Sequence, residues 1–349
     1  MDSLKSSTKI PIKNIYYMLC YAWNRLEEKD AVNVSRADEK DLHHLLSRIL
    51  VNRLRILIKR GFYKEYTSIE EETPSIRGRI DFQQSLNELS FKKARMYCQY
   101  DEMTHDILHN QIIKSTLYEL LKTSQVDERL KGELQQIYHY FRDIRLIKLN
   151  TKVFNDAKIH RSNSHYGFLI DICRFLHESL LMNENETGEK FINFEQDATA
   201  MAYLYEDFVR NFYKEELPES KVYRENIYWN AEGEDLSYLP RMETDISLEW
   251  NDRKVIMDTK YYQNATSSKL KNGNEKLIST NLYQIHAYLS NFKNREMKDL
   301  TGILLYPTVD RDLDLFYNIL GFKIKVCTVD FNQEWRNIHE RLLSIVDIG

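Results

Sequence analysis

Two aspartates and a lysine lie within one short stretch, residues 239–262, at a spacing that suits metal-assisted chemistry. Asp245 is followed after twelve residues by Asp258, and Lys260 stands two positions further on. Apolar and polar residues alternate after Asp245, a turn is predicted at 251–252, and an apolar strand returns, so the stretch predicts a β-hairpin. With that turn Asp245 faces Asp258, and facing Cβ atoms lie about 5 Å apart.

This arrangement predicts an oxygen-rich site for Mg²⁺. Two carboxylates so close repel each other, which raises the pKa of one of them unless a cation lies between them. Lys260 emerges on the same face as Asp258, because side chains alternate along a strand. Mg²⁺ is typically held by one or two carboxylates together with phosphate oxygens. The alternative, from the pattern alone, is a solvated strand face with an ion pair.

Two predicted helices supply further candidates. The helix over 197–215 carries Glu206 at the margin of its apolar face, where it would reach a metal if the helix packs beside the hairpin. A carboxylate at such a margin is equally typical of an ordinary amphipathic helix. The helix after the hairpin has Gln284 and Tyr288 four residues apart, and therefore on one face.

The remaining elements predict an α+β or α/β protein. Its C-terminal half predicts a mixed sheet flanked by helices, from a strand over 222–229, the hairpin, a helix, strands over 301–307 and 322–330, and a helix over 332–346. The N-terminal half is mainly helical, with helices predicted over 10–27, 38–60, 105–123, 127–141 and 166–182. Between them, residues 62–103 predict strands, and such a β-rich excursion is expected to protrude as an arm.

The length of 349 residues, with 42% apolar and 29% charged residues, fits two domains. The polar and acidic stretch 183–190 is the best boundary, so we expect domains at 1–190 and 191–349. No apolar run reaches spanning length and the N-terminus lacks a signal-peptide core, so a cytoplasmic protein is expected. The four cysteines form no CxxC pair and are interpreted as reduced, mostly buried thiols.

The charges argue against a strongly basic DNA-binding surface. Lys and Arg minus Asp and Glu gives +3 for residues 1–190 and −7 for 191–349. If the chain cuts DNA, much of its affinity for DNA is therefore expected to come from a partner. No GxxxxGK[S/T] phosphate-binding loop is present, and the His105-Asp-Ile-Leu-His109 segment lacks the glutamate and third ligand of a zinc protease.

Several segments together resemble the McrC family, the nuclease subunits of McrBC modification-dependent restriction systems. The Asp-X12-Asp-X-Lys pattern by itself resembles the PD-(D/E)XK nucleases, although Thr244 occupies the usual proline position and Pro240 lies five residues before Asp245. The resemblance to McrC runs the whole length of the chain. It rests on Ile10-Pro-Ile-Lys-Asn-Ile-Tyr-Tyr-Met-Leu-Cys-Tyr-Ala-Trp23, Ile76-Arg-Gly-Arg-Ile80, Leu239-Pro-Arg-Met-Glu-Thr-Asp245, Asp258-Thr-Lys-Tyr-Tyr262 and Asn281-Leu-Tyr-Gln284.

The resemblance implies a division of labour between two proteins. A hexameric McrB-like AAA+ GTPase would bind GTP and recognise methylated cytosine in double-stranded DNA, while this chain stimulates GTP hydrolysis and cleaves. The N-terminal domain would bind the partner and insert an extended finger, placed within 62–103, into the hexamer's central pore. Nuclease domains or whole complexes would pair to cut both strands.

The expected mechanism is Mg²⁺-assisted phosphodiester hydrolysis. Asp245, Asp258, the Thr259 carbonyl and Glu206 would hold the metal. Lys260 would orient the attacking water, and Gln284 would steady the lysine or the DNA backbone. Two alternatives remain open: a regulator or scaffold of an AAA+ GTPase without catalysis, and a self-sufficient Mg²⁺-dependent nuclease.

Overall fold

The computed structural model describes residues 10–29, 41–124, 126–184, 197–250, 252–261, 266–267, 276–292, 299–307 and 312–347. The chain divides into two compact units. One, the helical unit, is Glu39–Glu189, and the other, the sheet unit, combines Met1–Asp38 with Lys190–Gly349. Within the described ranges, no helix is both long enough and apolar enough to cross a membrane.

The secondary structure of the described residues is as follows. The helices are α1 (Ile12–Ala22), α2 (Leu42–Arg60), α3 (Phe82–Asn87), α4 (Leu108–Lys122), α5 (Glu128–His139), α6 (Thr151–Asp156), α7 (Gly167–Glu184), α8 (Ala198–Glu216), α9 (Ser279–Asn291) and α10 (Trp335–Val346). The strands are β1 (Glu65–Thr73), β2 (Arg79–Ile80), β3 (Met96–Thr104), β4 (Lys221–Tyr223), β5 (Asn226–Ile227), β6 (Met242–Glu243), β7 (Ile246–Trp250), β8 (Arg253–Thr259), β9 (Thr266–Ser267), β10 (Lys276–Leu277), β11 (Asp299–Pro307), β12 (Asp314–Ile319) and β13 (Phe322–Val329).

The helical unit contains the long helix α2, whose ends follow from its sequence. Asp41 caps the N-terminus by accepting a hydrogen bond from the backbone N–H of His44 (2.8 Å). Gly61 ends the helix with a φ of +92°, which glycine adopts without strain. The apolar side of α2 is buried against α5 and α7. The helices predicted over 38–60, 105–123, 127–141 and 166–182 are confirmed as α2, α4, α5 and α7, with small shifts at their ends.

The strands β1, β2 and β3 form an antiparallel sheet in the order β1-β3-β2, which we call the β-arm. The β-rich excursion predicted within 62–103 is therefore confirmed. Its middle strand in the chain, β2, spans only Arg79–Ile80. It stops there because Asp81 accepts a hydrogen bond from the Gln84 N–H (2.9 Å) and so caps α3.

One buried asparagine holds both ends of the β-arm. Asn110 Nδ2 donates to the carbonyl oxygens of Tyr63 (3.3 Å) and His105 (2.7 Å), which lie just before β1 and just after β3. The hydroxyl of Tyr166 donates to Asn110 Oδ1 (2.8 Å) and accepts from the Tyr63 N–H (3.0 Å). These hydrogen bonds, of which the one from Tyr166 to Asn110 is buried, fix the base of the β-arm to α4.

A mixed sheet in the order β12-β13-β11-β8-β7-β4 forms the centre of the sheet unit. β11 runs parallel to β8 and β13, whereas β7 pairs antiparallel with β8. α9 packs on this sheet at close range, because a Cβ built on Gly302 of β11 would lie 2.8 Å from side-chain atoms of Ile285 and Leu289. The predicted mixed sheet with flanking helices is thus confirmed.

The first helix, α1, packs within the sheet unit. Asn14 Nδ2 donates to the carbonyl oxygens of Phe331 and Gln333 (both 2.8 Å), and α1 lies against α8. The ring of Tyr21 packs on Trp335. This corrects the predicted 1–190 domain at its N-terminal end, because the apolar helix is buried among aromatic side chains of α8 and α10. Residues 185–190 of the predicted boundary lie outside the described residues.

Candidate active site

The β7–β8 hairpin has the predicted register. Trp250 pairs with Arg253, and the pairing continues in step to Ile246 opposite Met257. The next position in this register would join Asp245, which immediately precedes β7, to Asp258 in β8. Of the predicted turn, Asn251 lies outside the described residues. The hairpin therefore brings the two aspartates to the same end of neighbouring strands.

Thr259 fixes the side chain of Asp245. Asp245 Oδ2 accepts hydrogen bonds from the backbone N–H (2.7 Å) and the hydroxyl (3.0 Å) of Thr259. The next residue, Lys260, donates its backbone N–H to the Leu305 carbonyl of β11 (2.9 Å), which keeps the chain aligned with the sheet. The role of the Thr259 carbonyl as a metal ligand stays a prediction. The hydrogen bond from the Thr259 hydroxyl to Asp245 was not predicted from the sequence.

Asp258 is completely buried and lies beside Lys260. Lys260 Nζ donates to Asp258 Oδ1 (3.1 Å) and lies 3.0 Å from Oδ2. Only the first contact has hydrogen-bond geometry, so Oδ2 accepts no hydrogen bond within the described residues. Burial raises the pKa of Asp258 to about 7, and the charges of Asp245 and Glu206 add to the effect while Lys260 opposes it. A buried carboxyl in this state has unused capacity to bind a cation.

Glu206 reaches the neighbourhood of the two aspartates from α8. Burial raises its pKa, and the charge of Asp245 raises it further. Its Oε1 atom accepts hydrogen bonds from Arg210 (3.1 Å) and Arg224. Sequence reasoning missed both arginines, although Arg210 follows Glu206 at the i+4 spacing typical of a helical ion pair. Whether Glu206 is a ligand stays a prediction.

Gln284 and Tyr288 share a face of α9, as predicted. Gln284 Nε2 donates to the Tyr288 hydroxyl (2.7 Å), which donates to the carbonyl of Glu243 (3.0 Å), two residues before Asp245. Burial raises the pKa of Tyr288, and the charges of Asp258 and Asp245 contribute, so this hydroxyl lies within their electrostatic reach. The structure thus places Gln284 against Tyr288 beside the site.

The donor atoms brought together here suit Mg²⁺. Among the described residues, no three His, Cys, Asp or Glu side chains are arranged as a metal site. Mg²⁺ does not need such a set, because it keeps several waters and is held by one or two carboxylates plus substrate phosphate. The buried Oδ2 of Asp258, which accepts no hydrogen bond in this part of the chain, is the observation that fits a cation.

The two histidines of the His105-Asp-Ile-Leu-His109 segment serve packing. His105 precedes α4 and stacks on Phe62. The His109 ring is buried with Nε2 3.0 Å from the carbonyl oxygen of Lys158. The Nδ1 atom of His109 has no hydrogen-bond partner within the described residues.

Comparison with known proteins agrees with these motifs. A family described as "McrBC 5-methylcytosine restriction system component" matches residues 5–307. A relative from Escherichia coli K12, described as the type IV methyl-directed restriction enzyme EcoKMcrBC, is 33% identical over 341 residues, which cover 97% of each chain.

The fold is also found in an archaeal assembly. A chain in the refined half-complex of the tetradecameric assembly of Thermococcus gammatolerans McrB AAA+ hexamers with bound McrC has a TM-score of 0.59. The match covers 96% of this chain and 76% of that one at 15% identity, so it shows a likeness of fold. From the extent of the family match and the identity to the E. coli relative, the chain belongs to the McrBC 5-methylcytosine restriction system component family.

Proposed function

We propose that this chain is the endonuclease subunit of a GTP-dependent, methylcytosine-specific restriction complex. The observation that carries the proposal is the Asp245, Asp258 and Lys260 cluster at one end of the β7–β8 hairpin. The E. coli relative is described as a methyl-directed restriction enzyme, which supports the same reaction class. The sheet unit would then be a PD-(D/E)XK nuclease domain, supported by the order hairpin, helix, parallel strand from β7 to β11.

The residues that would hold Mg²⁺ are Asp245, Asp258, the Thr259 carbonyl and Glu206. When bound, Mg²⁺ supplies positive charge for the phosphate and lowers the pKa of a coordinated water. The hydrogen bonds from Thr259 fix Asp245 in advance, so little rearrangement is needed when the substrate arrives. To bind the metal, Glu206 would have to give up part of its contacts with Arg210 and Arg224.

Lys260 would orient the attacking water beside Asp258. Its ammonium group already lies within 3.1 Å of that carboxylate, and its side chain is only 17% exposed. Gln284 would contact the DNA backbone or the lysine from its position against Tyr288. Because in-line attack on phosphorus needs little covalent chemistry from the protein, the rate would come mainly from positioning and electrostatics.

The nucleotide and the methylated base would be bound by a McrB-like AAA+ GTPase hexamer. The archaeal structure of similar fold contains McrB AAA+ hexamers with bound McrC. We propose that the β-arm inserts into the partner's central pore and stimulates GTP hydrolysis. Four apolar side chains between β2 and β3, in α3 and the segment that follows it, support this, because they are 44–61% exposed and offer surface for a partner to bury: Phe82, Leu86, Leu89 and Phe91.

The substitution Asp258→Ala tests this assignment. We expect it to abolish cleavage of methylated DNA while leaving stimulation of the partner's GTPase intact, because Asp258 lies in the sheet unit and the β-arm in the helical unit. Full cleavage by the variant would rule out the assigned site. Cleavage by the wild-type chain without partner or GTP would instead favour a self-sufficient nuclease.

A further inference from the structure

We infer that Thr244 and Glu225 are positioning residues for Asp245, held in place by a buried polar chain that ends at Lys254. The inference deepens the proposed function, since it concerns the same site. Thr244 fills the position that proline occupies in the usual nuclease pattern. Proline would restrict the backbone at this position, and we infer that the hydrogen bonds of the threonine restrict it instead.

Thr244 and Glu225 hold each other through two reciprocal hydrogen bonds. The Thr244 N–H donates to the Glu225 carbonyl (2.9 Å), and the Glu225 N–H donates to Thr244 Oγ1 (3.0 Å). Thr244 is 1% exposed and directly precedes Asp245. Because both the backbone and the side chain of residue 244 are fixed, the backbone that carries the Asp245 carboxylate is fixed as well.

The hydroxyl groups next to this pair form a chain of hydrogen bonds whose donors can be assigned in only one way. Thr244 Oγ1 already accepts from the Glu225 N–H, and it lies 3.1 Å from Ser247 Oγ. Ser247 Oγ donates to Glu225 Oε2 (3.0 Å), so the Thr244 hydroxyl proton is the one left to donate to Ser247. Each hydroxyl therefore donates toward the Glu225 carboxylate.

Lys254 holds the far end of the chain. Its Nζ atom lies 2.7 Å from Glu225 Oε2 and donates to the Tyr223 hydroxyl (2.8 Å), while the side chain is 1% exposed. Lys254 is buried while the Glu225 side chain is 22% exposed, and such an ion pair gives no clear gain in stability over apolar residues of the same size. We infer that its role is to fix the position of the Glu225 carboxylate. This hydrogen-bonded chain thus fixes the backbone just before Asp245, while Thr259 holds the Asp245 carboxylate.

Thr244→Val tests the inference, because it removes the hydroxyl and keeps the shape. Two readouts apply to the full-length chain: residue-resolved hydrogen exchange of the Thr259 amide without metal, and Mg²⁺ binding by calorimetry. We expect Thr259 exchange to rise about tenfold, because its acceptor Asp245 is loosened, and Mg²⁺ affinity to fall about tenfold. Thr244→Ser keeps the hydroxyl and should restore both values.

Thr301→Val is the matched control. It makes the same change at a buried β11 position whose hydroxyl has no hydrogen-bond partner within the described residues. We expect it to change neither readout. If Thr244→Val does not fold, Ser247→Ala interrupts the same chain one step later and should change both readouts in the same direction.

Two results would overturn the inference. The first is that the Thr259 amide exchanges no faster in Thr244→Val, or in Ser247→Ala, than in the control Thr301→Val. The second is that Thr244→Ser is as impaired as Thr244→Val. The exchange readout needs neither metal nor DNA, so it is independent of the proposed function. If the wild-type chain cleaves no methylated DNA with partner, GTP and Mg²⁺ while the exchange result holds, the proposed function fails and the positioning role stands.

Discussion

Asp245 Oδ2 accepts two hydrogen bonds from the single residue Thr259, one from its backbone N–H at 2.7 Å and one from its hydroxyl at 3.0 Å. The two residues belong to different sides of the hairpin, with Asp245 just before β7 and Thr259 at the end of β8. This contact joins the first carboxylate of the site to the strand that carries Asp258 and leads into Lys260. The threonine between the second aspartate and the lysine thus holds the first aspartate in place.

Removing the Thr259 hydroxyl should weaken the site without destroying it. Thr259→Val keeps the backbone N–H bond to Asp245 and loses the other. We expect cleavage to fall about tenfold, because a hydrogen bond to a charged group contributes about 1.5 kcal/mol. Initial rates at saturating Mg²⁺ with partner and GTP would measure this. Thr259→Ser should cut at a rate close to wild type, and an unimpaired Thr259→Val would show that the hydroxyl contact is dispensable.

Asp258 should make the metal-free protein less stable at alkaline pH. Its folded-state pKa is about 7, above the ordinary value of 3.8. The folded state therefore holds a proton that the unfolded state releases between these values, so this group stabilises the fold at low pH and the contribution is lost as pH rises through about 7. Asp258→Asn cannot ionise, so its stability relative to wild type should be greater at pH 8 than at pH 5. Urea unfolding without Mg²⁺ at both pH values tests this, and an equal difference at the two would contradict it.

Mg²⁺ binding should show the opposite dependence on pH. A metal needs the ionised carboxylate, so protons compete with Mg²⁺ below the pKa of Asp258. We expect affinity to rise as pH increases from 6 to 8 and then level off. Calorimetric titration of the chain without DNA or partner measures this, with Asp258→Asn as the control that should bind weakly throughout. Tight binding that does not change over this range would place the metal elsewhere.

Gly302→Ala should disturb α9 and the residues it carries. The added Cβ would meet Ile285 and Leu289 at 2.8 Å. Overpacking of this kind costs about 1–3 kcal/mol, and a shift of α9 would also move Gln284. Thermal unfolding and cleavage should both be impaired. The matched control is Gly132→Ala in α5, where no atom lies within 4 Å of the new Cβ and alanine should stabilise the helix. Equal effects of the two substitutions would mean that the packing of α9 on β11 can accept a methyl group at position 302.

The base of the β-arm should control coupling to the partner. Asn110→Ala leaves the partly buried carbonyl oxygens of Tyr63 and His105 without this donor. Each lost hydrogen bond costs about 1 kcal/mol, and the base of the arm is loosened. We expect stimulation of the partner's GTPase to fall, with Mg²⁺ binding by the chain alone unchanged. Asn155→Ala, which removes a surface contact with Arg174 in the same unit, is the control. Normal stimulation by Asn110→Ala would show that the arm needs no such anchor.

Local sequence rules predicted the hairpin well. Alternation and a two-residue turn gave the register from Trp250 opposite Arg253 to Ile246 opposite Met257, and helical spacing predicted that Gln284 and Tyr288 meet. Each of these depends on residues close together in sequence, where strand and helix periods apply.

The features that the sequence did not reveal depend on distant contacts. Asn14 donates to a carbonyl 317 residues away, so nothing near α1 indicates that it packs in the sheet unit. The ion pair between the buried Lys254 of β8 and Glu225, which lies between β4 and β5, joins residues far apart in sequence, and the only local sign was a lysine entering an apolar strand. The partners of these polar residues are set by the tertiary fold, and the periodicity of a helix or strand does not predict which polar residues become buried.

The most direct test is cleavage of methylated and unmethylated plasmid by the wild-type chain and by Asp258→Asn, each with Mg²⁺ and with or without a McrB-like GTPase and GTP. We predict that only the wild-type chain cuts, that it cuts only methylated DNA, and that it needs both partner and GTP, while both chains stimulate GTP hydrolysis equally. Cleavage by Asp258→Asn at the wild-type rate, or no cleavage by the wild-type chain in any mixture, would contradict the nuclease assignment.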